Sequence, residues 1–284
     1  MEPEAAKPLL LLQLEEARQA SAPFVKARLY QQLAAGYAAL ANDDLGYTAQ
    51  AHNAQENHAY WIGRAGDWKQ AAQIQDELVQ AHLRHLGPGA PATLRCRYNH
   101  ANSIGMAGNH SEAANLFERL LTDYKRLNGL SGKDTILTLR AYAIWTGIAG
   151  NPAKAVRLLE QAINRLLHGH RPDDTMELKN ILEVRALHAQ WTGKAGNSRQ
   201  AAWLYEQLTT YSSHLLGPAH DLTIRTRIGQ SLFSKVWRRF PSSGIERCCV
   251  QGLSGSRFGV VMRAVGRGRG RGQGRPEMVV LVRG

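Results

Sequence analysis

The chain repeats one short motif four times in phase, and this repeat constrains the fold more than any other feature of its 284 residues. Each copy reads Gly-x-Ala-Gly and is followed at a fixed distance by another Ala. The second glycines of the four copies are Gly66, Gly108, Gly150 and Gly196, which lie 42, 42 and 46 residues apart. A period of this length is typical of stacked supersecondary units rather than of one globular core.

The motif predicts a turn between two helices. Glycine tolerates the left-handed conformation that ends a helix, and the Asp or Asn after it can accept a hydrogen bond from the next helix. The first glycine of each motif lies in the last helical turn, where it costs about 1 kcal/mol relative to Ala. That repeated cost predicts a close approach between helices. We expect the facing small residues to be the closing alanines, Ala71, Ala113, Ala155 and Ala201.

Large side chains also recur in register. Trp61, Trp145 and Trp191 lie two residues before the first glycine of the motif, and we predict that they pack against the adjacent hairpin. One further position is occupied by His58, His100, Tyr142 and His188 in successive copies, which indicates a structural slot.

The pattern predicts an all-α fold, a right-handed solenoid of antiparallel helical hairpins, because no segment alternates with period two long enough to indicate a sheet. The predicted helices span 4–20, 24–41, 46–65, 68–86, 92–107, 110–127, 136–149, 152–167, 175–195, 198–215 and 221–238. The predicted domains are an N-terminal helical hairpin or cap at 1–45, a repeat array at 46–238, and a largely irregular basic tail at 239–284, expected to be disordered.

The repeat resembles a known family. The Leu-Gly-Pro…Thr linkers after Leu86 and Leu216, the small residue at mid-helix and the Gly-Asx turn are similar to tetratricopeptide repeats (TPRs) of the long type. Such repeats occur in kinesin light chains and in the C-terminal arrays of bacterial signalling ATPases. The resemblance covers about residues 46–230 and does not extend to the ATPase half of those proteins. It implies a scaffold whose first helices line a concave surface that binds extended peptides.

One stripe on each first helix, at i, i+4, i+7 and i+11, is predicted to face that groove. The resemblance implies a ladder of Asn at the second stripe position, which Asn57 and Asn99 match and Ala141 and Leu187 do not. An Asn amide both donates and accepts, so it suits an extended backbone, although it can equally satisfy a neighbouring helix. The predicted peptide-binding residues are Asn53, Asn57, Tyr60, Arg64, Arg95, Asn99, Asn102, Met106, Ile144 and Ile148.

The sequence predicts no enzyme, no cofactor and no metal site. Gly132-Lys133 lacks both the first Gly and the Ser/Thr of a phosphate-binding loop. His82 and His85 can share a helix face, but no carboxylate or Cys lies near them at metal-ligand spacing, so we expect solvent-exposed histidines. Cys96 is expected to be a small helix residue.

The net charge of +12 is concentrated in one segment. Residues 231–284 hold eleven Lys or Arg and two Asp or Glu, whereas the rest of the chain is nearly balanced. The tail is open to three interpretations: an Arg/Gly arm that binds nucleic acid, a solvated extension without a partner, or an out-of-frame or truncated end. The abrupt loss of the repeat favours the third. Nucleic acid is therefore a predicted partner through the tail only, and a protein or peptide is the predicted partner of the repeats.

The remaining features predict a cytoplasmic protein that does not enter a membrane. The longest aliphatic run, Leu9 to Leu12, is far shorter than the ~20 residues that span a bilayer. Glu2 and Glu4 replace the basic start of a secretory signal. Three cysteines, two of them adjacent, do not form a disulfide framework. The sequence does not indicate an oligomeric state.

Overall fold

The computed structural model describes residues 3–41, 45–129, 132–169, 175–239, 249–252 and 260–263. Eleven helices occupy this part of the chain, each within three residues of its predicted bounds, so the all-α prediction is confirmed. They are α1 (Pro3–Gln19), α2 (Pro23–Leu40), α3 (Leu45–Arg64), α4 (Trp68–Leu86), α5 (Pro91–Met106), α6 (His110–Asn128), α7 (Lys133–Ile148), α8 (Pro152–Gly169), α9 (Thr175–Lys194), α10 (Ser198–Leu216) and α11 (Asp221–Arg239).

The chain forms two compact units, residues 1–123 and 124–284. In the first unit, α1 to α5 pack in sequence, each helix against the next. The unit contains two hydrophobic clusters. Leu10, Leu33 and Tyr37 are buried in one of them, and Leu78 and Cys96 are buried in the other. In the second unit, α7 to α11 pack in the same order, and α11 also contacts α9. Within each unit the hairpins therefore stack as the repeat predicts.

The turn between the helices of a hairpin has the predicted geometry. Gly66 has a φ of 113°, and the Asp67 N–H donates to the carbonyl of Ile62 at 3.1 Å. This bond closes the end of α3, because the left-handed residue turns the chain back over its last carbonyls. The Asp67 side chain then accepts a hydrogen bond from the Gln70 N–H at 2.9 Å and begins α4. The same two bonds recur in the third and fourth copies of the motif.

The linker between hairpins is held by a buried threonine. Thr93, near the start of α5, donates from its hydroxyl to the carbonyl of Gly87 at 2.8 Å. Thr135, near the start of α7, donates likewise to Gly129 at 2.9 Å. The threonine thus fixes where the next first helix begins, with or without the Gly-Pro of the linker.

The reason for the first glycine of the motif differs from the prediction. A Cβ atom at Gly147 would lie 2.7 Å from ring atoms of Trp191, which belongs to the next first helix, α9. At Gly193 it would overlap the ring of Phe233 on α11. The glycines therefore make room for aromatic rings, and the rings rather than the closing alanines are their nearest neighbours. The alanines themselves are fully buried, at Ala71, Ala113, Ala155 and Ala201.

Two short strands lie beyond the helices, and the sequence pattern did not predict them. β1 (Cys249–Gly252) pairs in antiparallel register with β2 (Val260–Arg263), so that Cys249 faces Arg263. Most of the predicted tail, residues 239–284, lies outside the described residues, and the predicted division at 45 and 238 stays a prediction. In the part of the chain that the structure describes, no helix is long and apolar enough to cross a membrane.

Candidate functional site

The predicted stripe on α3 coincides with the exposed line of that helix. Asn53, Asn57, Tyr60 and Arg64 are all exposed, whereas every other residue from 51 to 63 is buried or half-buried. Two neighbouring helices, α2 and α4, pack against α3. The helix therefore presents two amides, a phenol and a guanidinium in one row to the solvent.

Two members of this row have neighbours on the same helix. The Asn57 amide donates to the carbonyl of Asn53 at 2.9 Å, so one of its hydrogen atoms is used within α3. The Tyr60 ring, 48% exposed, packs edge-on against Trp61 with the ring centroids 5.0 Å apart. Lys26 of α2 lies over the Trp61 ring at 4.5 Å. One side of the Tyr60 ring is thus packed against Trp61, and the other side is exposed to solvent.

On α5 the stripe is more enclosed than predicted. Arg95 is exposed, but Asn99, Asn102 and Met106 are only half-exposed. The Arg95 guanidinium donates to both carboxylate oxygens of Glu56 on α3, at 3.3 Å each. This ion pair joins the stripes of α3 and α5. It also neutralises Arg95, so the positive charge expected from that residue is not available to a ligand.

The predicted peptide-binding residues of the second unit lie on α7. On α7, Ile148 is exposed and Ile144 is half-exposed, whereas Ala141, at the predicted ladder position, is buried. Arg140 lies one residue away and its guanidinium binds Glu183 of α9 at 3.4 Å. An arginine–glutamate pair therefore joins consecutive first helices in this unit too, at the same two repeat positions as Glu56 and Arg95 but with the charges exchanged.

A second group of polar residues was missed by the sequence analysis. His82, predicted to be solvent-exposed, is buried at 3% exposure, and its Nε2 lies 3.1 Å from His52 Nδ1. Three atoms that can bind a metal ion, one each from Glu56, His82 and Cys96, lie within 4.8 Å of one another. The prediction that His82 is solvent-exposed is wrong, because the helices α3, α4 and α5 enclose it and bring to it residues that are far apart in the sequence.

Burial sets the electrostatics of this group. It lowers the pKa of the His52 and His82 imidazoles, and the neighbouring His85 and the opposing ring add to the shift at His52. Burial likewise raises the pKa of the Cys96 thiol to about 12. Both rings are therefore neutral at neutral pH and the thiol is protonated, so Cys96 by itself is not a nucleophile.

The recurring histidine position has the structural environment that the sequence indicates. His58 is buried, and its Nδ1 lies 2.7 Å from the carbonyl of Ala27 on α2. His188 is buried with its Nε2 3.4 Å from a carboxylate oxygen of Glu160 on α8. Tyr142, in the same slot, is buried beneath Lys154. In these three copies the slot ties a first helix to a neighbouring second helix.

Comparison with known proteins identifies the fold. No protein-family model matches the chain, and no curated protein matches it. A crystal structure of putative kinesin light chain TPR-like repeats from Podosopora anserina aligns with a TM-score of 0.58 and 17% identity, over 66% of this chain and 87% of that one. BtubC (BKLC) from P. vanneervenii aligns with a TM-score of 0.53 and 11% identity, over 89% of this chain and 87% of that one. The chain therefore has a TPR-like helical repeat fold.

Proposed function

We propose that this chain is a non-enzymatic protein-interaction scaffold that binds a peptide or protein segment along the stripe of its first helices. The observation that carries the proposal is the exposed row on α3, where Asn53, Asn57, Tyr60 and Arg64 alone face the solvent between residues 51 and 64. Along this segment of α3, the row is the surface that a ligand can reach. The TPR-like fold is consistent with a scaffold in general.

The chemistry of the row suits a polypeptide backbone. Asn53 and Asn57 supply amide donors and acceptors, and Asn57 keeps its carbonyl oxygen and one amide hydrogen beyond the bond to Asn53. Tyr60 adds an exposed ring that can cover an apolar side chain of the ligand. Asn99 on α5 occupies the position that corresponds to Asn57 and would extend the contact to the next repeat.

Arg64 determines the preferred charge of the ligand. It is exposed, whereas the charge of Arg95 is balanced by Glu56. A carboxylate in the segment, either a side chain or a C-terminus, would form a charge-assisted hydrogen bond with the guanidinium. We therefore expect an acidic segment to be preferred over a basic one, with one arginine responsible for most of the preference.

A selected peptide tests the proposal. A random peptide library displayed on phage is selected on the full chain, and an enriched peptide is titrated against the wild type and the double variant Asn57→Ala, Asn99→Ala. We expect the double variant to bind more weakly by about 2–4 kcal/mol, taking ~1–2 for each lost hydrogen-bonding group. Gln73→Ala, an exposed amide on α4, is the matched control and should bind like the wild type.

Two results would contradict the proposal. One is a selection that enriches no peptide. The other is equal affinity of the double variant and the wild type while circular dichroism shows both folded, because the asparagines would then be structural.

A second function is favoured by the charge of residues 231–284. With eleven basic and two acidic residues, this segment would bind nucleic acid through phosphates. A single-stranded oligonucleotide should bind the full chain with an affinity that falls steeply with salt, and replacing Arg267, Arg269 and Arg271 by Gln should flatten that dependence. An unchanged salt dependence in this variant would exclude the Arg/Gly run as the binding element.

A further inference from the structure

Four side chains with metal-binding atoms meet in the first unit. His52 and Glu56 lie one turn apart on α3, His82 is on α4, and Cys96 is on α5. We call these four residues the donor cluster. His52 and His82 approach each other to 3.1 Å between ring nitrogens, and ligand-type atoms of Glu56, His82 and Cys96 are mutually within 4.8 Å. A carboxyl, an imidazole and a thiol therefore gather around one point of the helix interface, and the second imidazole, of His52, lies against the His82 ring.

The cluster is buried and incompletely satisfied. Cys96 is fully buried, His82 is 3% exposed, and the Glu56 side chain is 14% exposed. The Nδ1 atom of His82 is buried without a hydrogen-bond partner among the described residues. A buried nitrogen in this condition is costly, and native interiors seldom retain one without a ligand, ion or water. The Cys96 thiol donates a long hydrogen bond to the carbonyl of Gln75, at 3.7 Å.

The other repeats supply an internal comparison. Counting from the motif glycines, the position of His52 is occupied by Leu94, Ile136 and Leu182, and that of Cys96 by Ala54, Thr138 and Val184. The position of His82 holds Tyr124, Leu166 and Ser212, and that of Glu56 holds Tyr98, Arg140 and Ala186. Repeat packing thus requires none of the four donors. All four nevertheless occur where three consecutive helices meet.

We propose that the donor cluster is a zinc site in which Glu56, His82 and Cys96 bind one Zn²⁺, a water completes the coordination, and His52 holds the remaining ring nitrogen of His82 as an outer partner. Zinc prefers nitrogen and sulfur ligands, accepts a carboxylate oxygen, and is usually four-coordinate in buried structural sites. The thiol selects against magnesium and calcium, which require oxygen ligands. The proposal is independent of the groove and would hold whether or not the chain binds a peptide.

Distance and charge both permit this assignment. Ligand atoms of a tetrahedral zinc site lie roughly 3.3–3.8 Å apart, so the cluster needs side-chain shifts of about 1 Å. Thiolate and carboxylate together offset two of the three positive charges of Zn²⁺ and Arg95, and binding releases the thiol proton to solvent. Arg95 then holds the Glu56 carboxylate from the exposed side, as an outer partner that orients the ligand.

The test uses the full chain, freed of metal with a chelator, and titrates it with Zn²⁺ alone and with Co²⁺ alone. We expect one ion per chain, a higher melting temperature with Zn²⁺, and thiolate-to-metal charge-transfer absorption with Co²⁺ in a four-coordinate environment. The repeat provides substitutions that its own packing accepts, namely Cys96→Ala as at Ala54 and His82→Leu as at Leu166. Each should weaken binding by roughly 100-fold or more, which exceeds the 10–100-fold typical of outer partners.

Two controls identify the ligands. His85→Ala removes an exposed imidazole from the same helix, and Cys248→Ser with Cys249→Ser removes the other thiols; both variants should bind like the wild type. Circular dichroism of the metal-free variants verifies folding. The proposal is overturned if the wild type binds no ion, if Cys96→Ala retains the affinity and the charge-transfer band, or if the two tail cysteines account for the band.

Discussion

The two units use the same hairpin but fill its interior differently. In the first unit, residues 1–123, the helix interfaces bury imidazoles, an amide and a thiol, at His58, His82, Gln75 and Cys96. The second unit also buries a histidine, His188, but its interfaces bury more large rings than those of the first unit, among them Trp145, Trp191, Tyr205 and Phe233. The backbone motif is therefore indifferent to which of these chemistries lies between the hairpins. Whether the interface contains polar or aromatic side chains determines which further interactions it can make besides packing.

In the second unit, aromatic rings pack against glycines of a neighbouring helix. Trp191 lies on Gly147, Phe233 lies on Gly193, and Tyr205 stacks on Phe233 with the centroids 5.8 Å apart. Each ring requires a position without a side chain on the facing helix, so the glycine and the ring form one feature. Burial of the Tyr205 ring also raises the pKa of its hydroxyl, which keeps it neutral. These rings are thus expected to stabilise the second unit through packing.

The largest expected effect breaks a ring pair. Trp191→Ala removes a side chain that is only 4% exposed and should lower the free energy of unfolding by about 3–5 kcal/mol. Trp203→Ala, a change of the same residue type at an exposed position of α10, should have little effect. Chemical denaturation of the full chain measures both.

The partner glycine sharpens this prediction. Gly147→Ala should destabilise the wild type, because its Cβ would lie 2.7 Å from the Trp191 ring. In the Trp191→Ala background the same substitution should stabilise α7 by up to about 1 kcal/mol through helix propensity. The same sign in both backgrounds would show that the ring is not the reason for the glycine.

The next effect tests a feature that the two units share. Ala113 in the first unit and Ala201 in the second are both fully buried. Ala113→Leu and Ala201→Leu should each cost about 1–3 kcal/mol by overpacking the hairpin. Ala49→Leu, at an exposed position of α3, is the control. A melting temperature that Ala113→Leu leaves unchanged would mean that the hairpin has room at the closing alanine.

A smaller effect should appear on acidification, and it should come from the first unit. Burial is the main cause of the lowered pKa of His52, His82 and His100, all of which lie in that unit. The folded state therefore binds fewer protons than the unfolded state between these lowered values and the ordinary 6.5, so stability is lost as the pH falls through this window. His52→Leu with His82→Leu should reduce the loss. A stability profile that stays flat from pH 7.5 to 5 in the wild type would contradict this assignment.

The parts of this structure that the sequence predicts are local. A Gly-Asx pair fixes its turn through bonds to residues within five positions, such as Asp67 to Ile62, so each copy can be recognised by itself. The exposed row on α3 follows from the helix period once the turn is located. These features account for the eleven helices and for four of the predicted binding residues.

The donor cluster could not be found in that way, because its residues lie on three helices and are separated by up to 44 positions. A search for ligand spacing along the chain does not detect it. The repeat register does contain the missing information: in a stack, a first helix, its second helix and the following first helix meet at fixed positions relative to the motif glycines. Cys96, His82 and His52 occupy three such positions. The error about the glycines has the same origin, since Trp191 reaches Gly147 from the next repeat.

The smallest expected effect concerns the turn, where the two units should behave alike. Asp67 and Asn197 cap α4 and α10 by accepting hydrogen bonds from the N–H groups of Gln70 and Gln200, at 2.9 and 3.1 Å. Replacing either cap by Ala should cost about 1 kcal/mol, since the backbone donor is left to water. If the units differ only in their interiors, Asp67→Ala and Asn197→Ala should agree within about 0.5 kcal/mol in denaturant titrations. The Asn197 amide also donates to the Gln200 side chain at 2.7 Å, so a difference larger than this one exposed bond explains would mean that the interior of a unit also alters its turns.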